Sequence, residues 1–149
     1  MRVVVQRCSR AEVRIDGQTV GQIGRGFLLL VGVTDGDSEA QAELLAKKVA
    51  QMRVFEDGEG KMNLALKDVD GAILSISQFT LYADCKKGNR PSFIKAGNPT
   101  FANEMYEYVI SKCKTYEGLK VERGKFGADM KVELINDGPF TIILDSDDM

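Results

Sequence analysis

The sequence predicts an α+β fold in which a mixed or antiparallel β-sheet, or a barrel-like sheet, is covered by two main helices. Runs typical of strands fill the first third of the chain, and two stretches typical of helices are separated by a long apolar run. Strict β-α-β alternation is absent, as are the GxGxxG and P-loop phosphate motifs. No repeat or linker divides the 149 residues, so a single domain over 1–149 is expected.

The first third predicts three or four strands. Residues 2–7 and 11–16 are rich in β-branched residues. The Asp16-Gly17 pair then signals a hairpin into "QTVGQI". "FLLLVGV" at 27–33 is apolar throughout, which is typical of a strand buried on both faces.

The two helices are predicted over 35–55 and from about 98 to 116. Asp37 or Ser38 can cap the first, and Asn98 the second, because short polar side chains accept hydrogen bonds from the free N–H groups of a first turn. Each helix has apolar residues spaced three and four apart, which favours packing on a sheet.

The remaining residues predict a long strand over 72–84, another over 119–124 and two closing strands around "NDGPFT" at 136–141. Proline cannot donate to a strand ladder, so this last motif belongs at a turn, an edge or a bulge. Its turn-forming residues favour a turn between the closing strands. The alternative is a Gly-Pro pair that holds two carbonyl groups outward as fixed acceptors.

The stretch "AILSISQFTLYAD" at 72–84 turns polar towards its end. In a regular strand Gln78, Thr80 and Tyr82 share one face with Leu74 and Ile76. These polar groups either satisfy neighbouring backbone groups or form a pocket floor whose N–H groups receive an oxyanion.

Composition excludes several kinds of site. The chain has no histidine, which rules out Ser-His and Cys-His dyads and histidine-ligated metals. Its three cysteines have no metal-site spacing and are predicted to be reduced structural thiols. Neither a metal nor a cofactor is predicted.

Charge and hydropathy bear on partners and location. The net charge of −2 attracts no nucleic acid globally, although Lys86, Lys87 and Arg90 share a loop that is either merely solvated or binds phosphate. No apolar run approaches a membrane span and no signal peptide is recognisable, so a cytoplasmic protein without a membrane partner is expected.

Several stretches together resemble the D-aminoacyl-tRNA deacylase family. They are "VVQR" at 4–7, "SQFTLYAD" at 77–84, "RPSF" at 90–93, "GKFGADM" at 124–130 and "NDGPFT" at 136–141. The signatures Ser-Gln-x-x-Leu and Asn-x-Gly-Pro-x-Thr of that family are both intact. The resemblance covers essentially the whole chain, with Phe140 where a smaller aliphatic residue is common.

The resemblance implies a homodimeric hydrolase of translation quality control, with active sites at the subunit interface. It would cleave the ester of D-aminoacyl-tRNA, and of glycyl-tRNA, to tRNA and the free amino acid. A cis Gly138-Pro139 pair, supported by Arg7, would enter the partner subunit's site and reject L-amino acids by steric clash. Glycine has no side chain to clash and would not be excluded.

The same resemblance implies the remaining site residues. Ser77, Gln78 and Phe79 would form the catalytic strand end, with backbone N–H groups near Gln78 and Phe79 holding the oxyanion. Thr80 and Thr141 are the hydroxyl candidates, but neither has a visible base. The 2′-OH of the terminal ribose of tRNA would help to activate water.

Binding of the tRNA end is implied for two regions. Phe126 and Met130 would line the pocket for the terminal adenosine, and the basic loop with Lys86, Lys87 and Arg90 would contact phosphates. Burial of Phe126 and Met130 in the core is the alternative.

Three other functions are alternatives. The proofreading module of an archaeal threonyl-tRNA synthetase is disfavoured by the intact Gly-Pro motif. A nucleic-acid-binding protein without catalysis is disfavoured by the net charge. A structural dimer domain leaves the co-occurrence of both signatures unexplained.

Overall fold

The structure is a computed structural model that describes residues 1–149. Its strands are β1 (Arg2–Ile15), β2 (Gln18–Ile23), β3 (Gly26–Gly32), β4 (Phe55–Glu56), β5 (Met62–Leu64), β6 (Ala72–Ser77), β7 (Lys120–Arg123) and β8 (Lys131–Asp145). The helices are α1 (Glu39–Gln51) and α2 (Pro99–Cys113), with short 3₁₀ turns at Leu66–Val69, Phe79–Tyr82 and Ser146–Asp148. None of the helices is both long and apolar enough to cross a membrane.

The main sheet has six strands and is built around β1. The first half of β1 pairs antiparallel with β3 and its second half with β2, while β8 runs antiparallel along the opposite edge of β1. β3, β6 and β7 are parallel neighbours. β2 approaches β7 so closely that a Cβ atom at Gly21 would lie 2.7 Å from the carbonyl oxygen of Arg123. The sheet is therefore mixed and nearly closed, which confirms the predicted α+β class with two helices.

Two apolar clusters fill the two faces of this sheet. Alternate residues of β3 and β6 contribute to each, which explains why both strands are continuously apolar in sequence. The larger cluster lies under the helices and includes Val5, Phe27, Leu29, Leu45, Val49, Ile73, Tyr106, Val109 and Ile110. The smaller one fills the inside of the curved sheet and includes Cys8, Ala11, Val13, Leu28, Leu74 and Ile76.

Both helices begin at predicted caps. Ser38 is the N-cap of α1, and the Gln41 side chain accepts a hydrogen bond from the Ser38 N–H at 2.7 Å. The Asn98 side chain accepts from the Thr100 N–H at 3.0 Å, with Pro99 in the first helical position. Both helices are shorter than predicted.

The predicted strand over 72–84 is wrong in its second half. β6 ends at Ser77, and a 3₁₀ turn follows at Phe79–Tyr82, so Gln78 and Thr80 do not share a strand face with Leu74. The reason lies in the neighbouring strands. The Gln78 N–H still reaches the Val31 carbonyl at 2.8 Å, but the pairing of β7 with β6 stops at Ser75.

The predicted turn at 136–141 is also wrong. Asn136 pairs with Cys8 and Thr141 pairs with Gln6, so both halves of β8 run along the same strand in the same direction. Residues 137–140 form a bulge opposite the single residue Arg7. We name this four-residue bulge the Gly-Pro loop. In the segment 136–141, four residues therefore bulge out of the ladder with β1, and the chain does not reverse its direction.

Candidate active site

A cavity of about 660 Å³ opens where β6 ends. Three segments surround it: the end of β6 with the residues that follow, the stretch 93–99 with the first turn of α2, and the loop after β7 with the start of β8. The lining residues are Ile76, Ser77, Gln78, Phe79, Phe93, Ala96, Gly97, Asn98, Pro99, Ala102, Phe126, Gly127, Ala128, Asp129, Met130 and Val132. A volume of this size suits a small organic group such as a nucleoside.

Five of the residues proposed from the sequence meet in this cavity: Ser77, Gln78, Phe79, Phe126 and Met130. Thr80 follows directly but does not line it, and its hydroxyl oxygen accepts a hydrogen bond from the Gln78 amide at 2.5 Å. Phe126 and Met130 are half-buried at the cavity surface, so they are not simply core residues.

Two backbone N–H groups at the end of β6, those of Gln78 and Phe79, are the candidates to donate a hydrogen bond to an oxyanion. The Gln78 N–H already donates to the Val31 carbonyl at 2.8 Å. Phe79 begins the 3₁₀ turn, and the first N–H groups of a helical turn have no partner within it. The Phe79 N–H is therefore the better-placed donor of the two.

The Gly-Pro loop lies outside this cavity. Asp137, Gly138 and Pro139 are exposed, and the Gly138–Pro139 peptide bond is cis. Arg7 holds the loop from one side: its Nε donates to the Asp137 carbonyl at 3.0 Å and its Nη1 to the Val54 carbonyl at 2.5 Å. The Arg7 guanidinium also lies 4.6 Å from the centre of the Phe140 ring.

Asn136 closes the base of the same loop. Its side-chain oxygen Oδ1 accepts a hydrogen bond from the Phe140 N–H at 2.6 Å, and its side-chain Nδ2 donates to the Thr141 hydroxyl oxygen at 3.1 Å. The Gln6 amide contacts the same hydroxyl at 3.5 Å. Within one chain, Thr141 thus belongs to the anchoring of the loop and is not brought together with Ser77.

The basic loop is solvent-exposed and begins beside the cavity. An isolated bridge between Asp84 and Ser92 closes it, and Lys86, Lys87 and Arg90 form none of the salt bridges of the structure. The Lys86 N–H, followed by the Lys95 ammonium, holds the pKa of Asp84 below its usual value.

Titratable chemistry is nearly absent from the cavity. Asp129 is its only ionisable lining side chain, and it forms an exposed ion pair with Lys131 at 3.0 Å. No cluster of three or more aspartate, glutamate, cysteine or histidine side chains could hold a metal ion. Burial raises the pKa of Cys8 to about 11 and of Cys113 to about 12, which is consistent with unreactive structural thiols.

Sequence reasoning assigned no role to several lining residues. Phe93 meets Phe79 edge-on, with ring centres 5.1 Å apart, and both rings are exposed at the cavity mouth. The sequence pattern of Asn98 and Pro99 predicts only a helix start. Their place in the cavity has no local sequence signal, because it results from the packing of α2 against the sheet.

Comparisons with known proteins agree on one family. The family described as D-Tyr-tRNA(Tyr) deacylase matches residues 4–145. The D-aminoacyl-tRNA deacylase of Lactobacillus acidophilus is 59% identical over 145 residues, which cover 97% of this chain and 99% of that protein. The D-aminoacyl-tRNA deacylase of Halalkalibacterium halodurans is 54% identical over 146 residues, 98% of this chain and 99% of that one.

Solved structures share the fold. The c-Myc DNA unwinding element binding protein superposes with a TM-score of 0.90 at 39% identity, covering 97% of this chain and 98% of that one. A probable eukaryotic D-amino acid tRNA deacylase has a TM-score of 0.79 at 18% identity, covering 96% and 97%. The match over nearly all of the chain places this protein in the D-Tyr-tRNA(Tyr) deacylase family.

Proposed function

We propose that this chain hydrolyses the ester that joins a D-amino acid to the 3′ end of tRNA, releasing the free amino acid and tRNA. The observation that carries the proposal is the family match over residues 4–145 in a chain that retains both signatures. Membership in a family of aminoacyl-tRNA ester hydrolases makes the chain an enzyme.

The cavity receives the 3′ end of the tRNA. Phe126 stacks on the terminal adenine, and such base–aromatic stacking contributes roughly 1–3 kcal/mol. Met130 lines the same side of the cavity. The unpaired cations Lys86, Lys87 and Arg90 of the neighbouring loop contact backbone phosphates of the acceptor end.

Hydrolysis proceeds by attack of water on the ester carbonyl. The negative charge that develops on the carbonyl oxygen is stabilised by the Phe79 N–H. The bond to the ribose 3′ oxygen then breaks, and that oxygen takes up a proton. Asp129, the only ionisable side chain that lines the cavity, is exposed and paired with Lys131, so the ribose 2′-OH of the tRNA assists in activating the water.

Neither threonine acts as the nucleophile in this proposal. The Thr80 hydroxyl oxygen accepts a hydrogen bond from the Gln78 side-chain amide, and the Thr141 hydroxyl oxygen accepts one from the Asn136 side-chain amide. Covalent catalysis would need an adjacent base to remove the hydroxyl proton, and amide groups are not bases.

Chirality is read by the Gly-Pro loop of a partner subunit. The loop is exposed, is anchored by Arg7 and Asn136 and lies outside the cavity of its own chain. In a homodimer it enters the partner's cavity, where the Gly138 and Pro139 carbonyls accept hydrogen bonds from the substrate α-amino group. An L side chain would clash with this backbone, whereas glycyl-tRNA would pass.

The test compares hydrolysis of D-tyrosyl-tRNA, L-tyrosyl-tRNA and glycyl-tRNA by the purified protein with EDTA present. Cleavage of the D and glycyl esters, with the L ester intact, is the expected result. Equal cleavage of D and L esters would refute the Gly-Pro filter. Salt-dependent tRNA binding by folded protein without turnover would favour the binding-protein alternative.

A further inference from the structure

One side of the cavity is lined by residues 126–130, and we name the whole segment 124–130, from the end of β7 to Met130, the pocket wall. The wall begins where β7 ends, and its first residue is tied to β6 beneath the cavity. The Ser75 carbonyl accepts the Gly124 N–H at 3.0 Å and also the Tyr106 hydroxyl at 2.7 Å. A single acceptor thus joins β6, the pocket wall and helix α2.

Tyr106 supports the wall from behind. Its side chain is fully buried and does not line the cavity. Its ring centre lies 6.3 Å from that of Phe126, with the two rings tilted by 44°. The cavity-lining Phe126 ring therefore rests against a residue whose position is fixed by a buried hydrogen bond.

A second contact ties the same helix to the start of the wall. Arg123, the last residue of β7, donates from both terminal nitrogens to the Glu107 carboxylate, with Nη1 at 2.5 Å from Oε2. Its guanidinium lies 5.4 Å from the Tyr106 ring centre. A forked pair of this kind fixes orientation as well as distance.

The wall is also folded tightly upon itself. A Cβ atom at Gly124 would lie 2.5 Å from the Met130 sulfur and 3.1 Å from the Ile76 Cδ1. Its first and last residues are therefore in contact, and a shift at Gly124 would be transmitted to Met130. Both ends of the wall depend on how Gly124 is held.

We propose that Tyr106, assisted by the Arg123–Glu107 pair, is a positioning residue that fixes the pocket wall and so sets the affinity for the terminal nucleotide of the substrate. This inference rests on the proposed function for the identity of that nucleotide. The placement of the wall does not depend on that identity, because it follows from the contacts of Tyr106, Arg123 and Gly124.

The test is Tyr106→Phe, which removes one hydroxyl, with Tyr108→Phe as the matched control. Tyr108 lies on the same helix and its hydroxyl donates to Glu43 at 2.5 Å, away from the cavity. Three quantities are measured: kcat for D-tyrosyl-tRNA, KM for the same substrate, and amide hydrogen exchange in the peptide that covers 124–130. Phe126→Ala provides the KM expected when the stacking ring is lost.

For Tyr106→Phe we expect faster exchange in residues 124–130 and a KM raised roughly three- to tenfold, with kcat within about twofold. Tyr108→Phe should leave all three unchanged. Arg123→Lys replaces the two-nitrogen contact with Glu107 by a single ammonium at a partly exposed site, and it should also raise KM. This second variant decides the question if Tyr106→Phe lowers Tm markedly.

Unchanged exchange and KM in both Tyr106→Phe and Arg123→Lys would overturn the proposal, and so would a fall in kcat alone. If the wild type fails to hydrolyse D-tyrosyl-tRNA, the proposed function fails. The exchange measurement then still decides whether Tyr106 holds the wall.

Discussion

Replacing Arg7 by methionine should loosen the Gly-Pro loop without emptying the space that the side chain fills. The substitution removes the hydrogen bonds to the Asp137 and Val54 carbonyls and the contact with the Phe140 ring. Only the Asp137 hydrogen bond and the Phe140 contact join Arg7 to the loop, because Val54 lies outside it and its bond serves to orient the Arg7 side chain. Taking about 1 kcal/mol for the hydrogen bond and about 0.5 kcal/mol for the cation–π contact gives a loss of about 1.5 kcal/mol, which corresponds to roughly a tenfold smaller ratio of anchored to displaced loop.

The assay is the ratio of kcat/KM for D-tyrosyl-tRNA to that for L-tyrosyl-tRNA. If L esters are cleaved only when the loop is displaced, Arg7→Met should lower this ratio by up to the same factor, mainly by raising L cleavage. Arg10→Met is the control, because Arg10 lies on the same strand but pairs with Glu133 at 2.5 Å. Arg7→Lys should give an intermediate ratio, since a single ammonium does not reproduce the fork.

An unchanged ratio in Arg7→Met would refute this reasoning. Hydrogen exchange in residues 136–141 separates the two possible causes. Unchanged exchange would mean that Asn136 alone holds the loop, and faster exchange with an unchanged ratio would mean that the loop is not the chirality filter.

Two further predictions follow from the surroundings of single side chains. Thr141→Ala should retain activity within about tenfold of the wild type in single-turnover hydrolysis of D-tyrosyl-tRNA, because its hydroxyl only helps to close the loop base; complete loss with intact folding would instead identify a threonine nucleophile. Hydrogen bonds from Arg14 and then Arg10 lower the pKa of Glu133 to about 2, from 4.5. A lowered folded-state pKa means that this carboxylate stabilises the fold above about pH 4.5 and that the contribution is lost as the pH falls towards 2. The difference in urea-unfolding free energy between wild type and Glu133→Gln should therefore shrink from pH 5 to pH 2.5, and a constant difference would contradict it.

Helix starts were predictable because their signals are local. Ser38 with Gln41, and Asn98 with Pro99, satisfy free N–H groups within one turn, and the structure places both helix starts there. The central apolar strand was predictable for a similar reason, since a run without polar residues must be covered on both faces.

The end of β6 could not be read from its own residues. Phe79, Thr80, Leu81 and Tyr82 all tolerate or favour strands, yet they form a 3₁₀ turn. The strand ends where it runs out of partners, because β7 stops pairing at Ser75 and β3 ends at Gly32. That information lies in strands about 40 residues or more away along the chain and has no local signal.

The shape of the Gly-Pro loop, like the end of β6, could not be predicted from its own residues. Its residues are turn formers, so a turn was the reasonable local prediction. Whether such a segment reverses the chain or bulges depends on where the flanking residues pair. Here both flanks pair with β1, whose sequence is some 130 residues away.

The pairing of β1 with β8 has a consequence for folding. Arg2 lies opposite Asp145, so the first and last strands of the sheet must find each other across almost the entire chain. Closing a loop of this length costs on the order of 4 kcal/mol of chain entropy, and such distant pairing slows folding. During synthesis the edge of β1 that pairs with β8 has no partner until β8 has emerged from the ribosome. The Asn136–Thr141 segment can pair with β1 only in that last step, so the Gly-Pro loop is among the last parts of the chain to form.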